Sequence, residues 1–195
     1  AIDLGLILHS IAVLSKAVET LHLFGLYHLD LKPENFGIKT FRGRPDKDVG
    51  ISLYDVNSLY SGRQRDGVIM SSGTKYFRSP EVESCSSEFF GPASDIYSLG
   101  AILYYALAVR LEEDSETGKE IYKNIHFCEG KSEFDEEEYN NIGVSLRKSE
   151  LLSDTDETGN SIIFGQLYSI LRKSLNTIYY TNDNGFYETA ADLYK

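Results

Sequence analysis

The stretch His28-Leu29-Asp30-Leu31-Lys32-Pro33-Glu34-Asn35 decides how the rest of this 195-residue chain is read. It gathers two carboxylates, a lysine, a side-chain amide and a proline into eight positions between a helical segment and a strand-like one. Asp, Asn and Pro are ordinary turn residues, so a polar surface turn is one reading. The other is a chemical site. A carboxylate can orient a hydroxyl and accept its proton, a lysine can offset growing negative charge, and an amide oxygen suits a hard cation such as Mg2+.

Upstream of this stretch, Ile7, Ile11, Leu14, Val18 and Leu21 recur at spacings that put them on one stripe of a helix. The helix is expected over 3–24, ending at Gly25, a residue suited to the left-handed conformation that follows a helix end. The chain opens on Ala1-Ile2-Asp3, already inside this pattern and without an initiator Met, which leads us to expect further sequence before it.

Downstream, Ile51-Ser52-Leu53-Tyr54 alternates as a strand does, and the polar Phe41 to Asp48 run reads as the tip of a hairpin. From Asp55 to Pro80 the chain is mostly polar, with Gly62, Gly67 and Gly73, and too long for a simple connection; such loops are usually functional. Residues Asp95 to Val109 are nearly all apolar and predict a helix buried on most sides. The acidic runs between Leu111 and Asn160 (Glu112 to Asp114, Glu136 to Glu138, Asp154 to Glu157) read as solvated faces and loops. A last helix is expected over 162–175, with another near 189–194. The fold class that follows is mainly α, one domain, with a few short strands around one loop cluster.

A net charge of −11, from 30 acidic against 19 basic residues, repels phosphate backbones and anionic lipid, so nucleic acid and membrane surfaces are poor partners. We expect no membrane span, because no unbroken apolar run approaches the roughly 20 residues a bilayer requires. No signal peptide is recognisable, and a soluble, cytoplasmic protein is the expectation. Cys85 and Cys128 form no Cys-x-x-Cys pair and read as reduced thiols.

Three further motifs follow the opening stretch in order. Tyr54-Asp55-Val56-Asn57 follows a strand; Gly73-Thr74-Lys75-Tyr76-Phe77-Arg78-Ser79-Pro80-Glu81 closes the long loop; Asp95-Ile96-Tyr97-Ser98-Leu99-Gly100 opens the apolar helix. Together with residues 28–35 they resemble the C-terminal lobe of a eukaryotic-type protein kinase. The resemblance implies a first helix over 1–24, a catalytic loop and metal-binding turn over 25–57, an activation segment over 58–81, a central helix over 95–109 and a helical subdomain over 110–195. It also implies ATP and Mg2+ as cofactors and a protein Ser or Thr hydroxyl as acceptor. Asp30 would be the base, Lys32 a charge stabiliser, and Thr74 a hydrogen-bond partner of both, donating to the carboxylate and accepting from the ammonium. Lys32, Glu34, Asn35 and Asp55 would face the nucleotide, with Asn35 and Asp55 on the metal. His28 would be a scaffold residue, and Asp95 would brace the backbone of the catalytic loop, an ordinary helix cap being the other structural reading.

The sequence departs from the family pattern at defined places. Leu29 replaces the Arg that answers a phosphorylated activation loop, so activity independent of phosphorylation at Ser58, Ser61, Ser71 or Ser72 is expected. Gly37 stands where a large apolar residue floors the adenine pocket. Val56 and Asn57 replace the Phe and Gly of Asp-Phe-Gly, and no Arg in Gly185 to Ala190 offers Glu81 its usual partner. The Gly-rich loop and the strand lysine of the N-terminal lobe do not occur. The chain by itself should be a poor kinase that needs that lobe as partner. Three functions stay open: an ATP-dependent protein Ser/Thr kinase, an interaction scaffold on the same fold with little or no turnover, and another phosphotransferase.

Overall fold

The computed structural model describes residues 4–40, 49–56, 59–61, 77–85, 87–107, 109–113, 120–124 and 162–175. Its elements run in chain order as helix α1 (Leu4–Leu23), β1 (Leu26–Tyr27), a 3-10 turn (Pro33–Asn35), β2 (Phe36–Thr40), β3 (Val49–Leu53), β4 (Tyr60–Ser61), α2 (Pro80–Glu83), a second 3-10 turn (Ser87–Phe89), α3 (Pro92–Leu107), β5 (Val109–Glu113), β6 (Glu120–Asn124) and α4 (Ile162–Ser174). The described residues are mostly helical, with short two-stranded pairings.

α1 forms where the apolar stripe predicts it, and it stops where glycine allows. Gly25 takes φ 69°, and the amides of Phe24 and Gly25 close the last turn onto the carbonyls of Leu21 and His22 at 3.0 and 2.9 Å. Its stripe packs on α3: Ile11, Leu14 and Val18 join Ile96, Leu99, Ile102, Leu103 and Leu107 in the main core, and Leu167 and Leu171 of α4 complete it. Each such side chain contributes about 1.5–3 kcal/mol on burial. α3 is buried on most sides, as its composition requires.

One sequence expectation is corrected by α1. Gly5–Leu23 is a 19-residue helix long and apolar enough by length and composition to cross a membrane. Lys16 and Glu19 interrupt the apolar run, so counting unbroken residues overlooked it, although the average over the helix stays high. Leu14 and Val18 are fully buried and the stripe seats on α3, while only 22% of that stretch is buried and Leu23 stands 79% exposed.

Strand pairing adds what periodicity did not show. β2 pairs antiparallel with β3 in the register Phe36↔Leu53 through Thr40↔Val49, so the hairpin whose tip was expected at 41–48 exists as a strand pair, its tip lying outside the described residues. β1 pairs with β4, inside the stretch read as one long loop. β5 and β6 pair as well, so Glu112 and Glu113 belong to a strand. The other acidic runs, the helix near 189–194 and Cys128 lie outside the described residues, and Cys85 is an exposed free thiol.

Candidate active site

Residues 28–35 leave β1 and reach β2 through a turn held from beneath by α3. Leu29 adopts φ 58°, a left-handed conformation that costs a non-glycine residue about 1–2 kcal/mol. Asp95 offsets it. Its Oδ1 accepts the Leu29 amide at 2.8 Å, and its Oδ2 accepts the His28 amide at 2.8 Å and the His22 Nε2–H at 2.9 Å. Of the two sequence readings of Asp95 the structure bears out the brace on the loop backbone: α3 begins at Pro92, so Asp95 does not cap its own helix, and its fully buried carboxylate is turned to the loop. The Leu29 side chain packs with Tyr60 of β4 and Val82 of α2, an apolar anchor in place of a guanidinium. The equally buried His28 ring donates through Nε2 to the Tyr54 carbonyl at 3.1 Å, linking the loop to the end of β3.

Asp30 is the centre of the arrangement. On Oδ2 it accepts Lys32 Nζ at 3.0 Å and Asn35 Nδ2 at 3.2 Å; on Oδ1 it accepts Arg78 Nε at 3.2 Å and Nη2 at 3.1 Å. Asn35 Nδ2 also donates to the Asp30 carbonyl at 2.8 Å, which closes the turn and leaves the Asn35 amide oxygen for a cation. A carboxylate between two cations, only 8% exposed, is suited to orienting a hydroxyl.

Asp55 follows β3, exposed and at φ 55°, and the Tyr54 amide donates to the Asn35 carbonyl at 2.8 Å, so the two candidate metal ligands sit on strand ends tied together. Among the described residues no cluster of three or more His, Cys, Asp or Glu side chains could hold a metal. An amide oxygen and one carboxylate match Mg2+, which keeps most of its waters and takes few protein ligands. The Tyr54 phenol lies where a side chain at residue 37 would stand, 3.1 Å from Cζ to an ideal Cβ there. The glycine read as a bare floor is covered by the neighbouring strand.

A protein kinase domain family model matches residues 5–168, the greater part of the chain. The chain belongs to the protein kinase family. It is 32% identical over 110 residues to CBL-interacting serine/threonine-protein kinase 20 of Arabidopsis thaliana, a match covering 56% of this chain and 24% of that protein. Calcium-dependent protein kinase 19 of Arabidopsis thaliana is 30% identical over 136 residues, covering 68% of this chain and 22% of the relative. CBL-interacting serine/threonine-protein kinase 3 of Arabidopsis thaliana is 34% identical over 113 residues, covering 57% and 24%. The chain spans about a quarter of the length of the curated relatives it matches.

Within this kinase domain the structure brings Asp30, Lys32 and Asn35 together and sets Asp55 on the adjoining strand end. Glu34 is exposed on the 3-10 turn, with no hydrogen bond to the other three among the described residues. Val56 is 46% exposed and plugs nothing in the described part. Thr74, Asn57, Ser58, Ser71 and Ser72 lie outside the described residues. Glu81 is buried and accepts Ser94 Oγ on Oε1 at 2.7 Å, while Oε2 meets no donor among the described residues. Sequence reasoning missed Arg78. Its signal was its place inside the quoted Gly73 to Glu81 motif, two residues before Pro80, but nothing in the pattern says which way an arginine there turns.

Proposed function

We propose that the chain is the C-terminal lobe of an ATP- and Mg2+-dependent protein serine/threonine kinase. The observation that carries the reading is the Asp30 carboxylate, held at one oxygen by Lys32 and Asn35 within a loop that Asp95 clamps from beneath. ATP with its metal supplies the transferable phosphoryl group. Asp30 orients the acceptor Ser or Thr hydroxyl and takes its proton, and Lys32 offsets charge on the phosphate. Asn35 and Asp55 offer oxygens to the metal, Glu34 borders the nucleotide side of the turn, and the Thr74 hydroxyl accepts from Lys32 and donates to Asp30 once a donor on that carboxylate has left. The full-length protein supplies the N-terminal lobe as partner, acts in the cytoplasm on protein substrates, and uses neither nucleic acid nor membrane.

The test is radiolabel transfer from ATP to a basic protein by the full-length protein and its Asp30→Asn variant. A loss of about 100-fold or more is expected, and equal signal from both overturns the assignment. A second reading, an interaction scaffold, is favoured by the exposed Val56 and by the full engagement of Asp30; it predicts that equal signal, at background level.

A further inference from the structure

We propose that Arg78 is a positioning residue that fixes the Asp30 carboxylate through Oδ1 and leaves Oδ2 as the oxygen that receives the acceptor hydroxyl. The inference rests on the phosphoryl-transfer reading. A carboxylate offers about four acceptor sites, and among the described residues four N–H bonds reach Asp30: Lys32 Nζ and Asn35 Nδ2 at Oδ2, Arg78 Nε and Nη2 at Oδ1. A substrate hydroxyl therefore finds no open site until one donor leaves.

The two oxygens are not held alike. Arg78 grips Oδ1 with two N–H groups of a planar, pre-organised fork, whereas Lys32 is a single point charge on a flexible stem. The Asn35 contact with Oδ2, at 3.2 Å, is the longer branch of a shared donor whose shorter branch, at 2.8 Å, goes to the Asp30 carbonyl. Oδ2 is thus the side that opens. A phosphate arriving beside the loop draws Lys32 toward itself and exposes Oδ2, while Oδ1 stays clamped and the carboxylate keeps its plane.

The backbone that presents Arg78 is itself anchored on both sides. Phe77 is buried and meets the Tyr105 ring edge-on at 5.5 Å; Ser79 is buried at the start of α2, and the next turn is tied to α3 by the bond from Ser94 to Glu81. An arginine on so fixed a base, itself mostly buried against Asp30, aligns a carboxylate rather than sampling solvent. It also makes access to the base conditional on the nucleotide: phosphate first, hydroxyl second.

The test uses the full-length protein with Arg78→Met and Arg78→Lys, steady-state kinetics, and NMR exchange of the Arg78 Nε–H with and without Asp30→Asn. We expect Arg78→Met to lower kcat by about 10- to 100-fold, the scale of a misaligned catalytic group, with KM for ATP unchanged. Arg78→Lys should restore part of kcat. The Nε–H should exchange slowly in the wild type and fast in Asp30→Asn, a readout that holds even if Arg78→Met fails to fold. An active wild type matched or exceeded in kcat by Arg78→Met overturns the positioning role alone, as does an Nε–H indifferent to Asp30→Asn. A wild type without transfer overturns the kinase reading and the positioning role with it.

Discussion

Asp95 Oδ1 accepts the Leu29 amide at 2.8 Å, so a carboxylate in the first turn of α3 holds a non-glycine residue at φ 58° in the loop that carries Asp30. The same side chain takes the His28 amide and the His22 ring, three donors in a site closed to water. Asp95→Ala leaves all three without an acceptor. A loss of about 3 kcal/mol or more is expected, read from urea unfolding of the full-length protein; a loss under about 1 kcal/mol would show that another group takes over.

Ser94, next to Asp95, acts in the opposite direction along the chain by donating to the buried Glu81 at 2.7 Å. Ser94→Ala removes the one hydrogen bond to that carboxylate among the described residues. The expected cost is about 1.5–3 kcal/mol, the range for hydrogen bonds to charged groups. Ser94→Thr keeps the hydroxyl, and unfolding midpoints for the two variants should differ accordingly.

Gly37 and Tyr54 should be energetically coupled. A methyl at residue 37 meets the Tyr54 phenol, so Gly37→Ala is expected to cost about 1–3 kcal/mol by overpacking. In a Tyr54→Ala background that cost should largely vanish. A double-mutant cycle giving a coupling below about 0.5 kcal/mol would mean that the half-exposed ring simply swings aside.

Gly100 lets α3 lie close against Ser174 of α4. An added Cβ would meet Ser174 Oγ, and lies 2.7 Å from Ser174 Cβ and 3.4 Å from the residue's carbonyl carbon. Gly100→Ala should destabilise by about 1–3 kcal/mol. Because Cβ as well as the hydroxyl obstructs it, Ser174→Ala should bring little relief and Ser174→Gly more; full rescue by Ser174→Ala would contradict this packing.

The elements read correctly in advance were those with a repeating local signal. The Ile7 to Leu21 stripe, the Gly25 stop and the apolar run of α3 each record burial or backbone need in neighbouring residues. The alternation of β3 was legible and the hairpin tip implied β2, whereas β1, β4 and the β5–β6 pair left no such trace. Strands of two to five residues depend on a distant partner for half their hydrogen bonds, and Glu112 and Glu113 look like loop residues until β6 lies beside them.

The sequence by itself determined the family resemblance and brought out the set Asp30, Lys32 and Asn35, because a loop in which donors and acceptors lie within five residues is written in consecutive letters; Asp55, 20 positions beyond Asn35, is read only from its order after the strand. Only the tertiary structure chose, of the two readings open for Asp95, the brace on the loop over the helix cap, and decided that Tyr54 covers Gly37 and that Arg78, 48 positions away, closes on Asp30. Those relations join side chains whose directions depend on how strands pair and helices pack, and that geometry is settled by the whole core rather than by any local pattern.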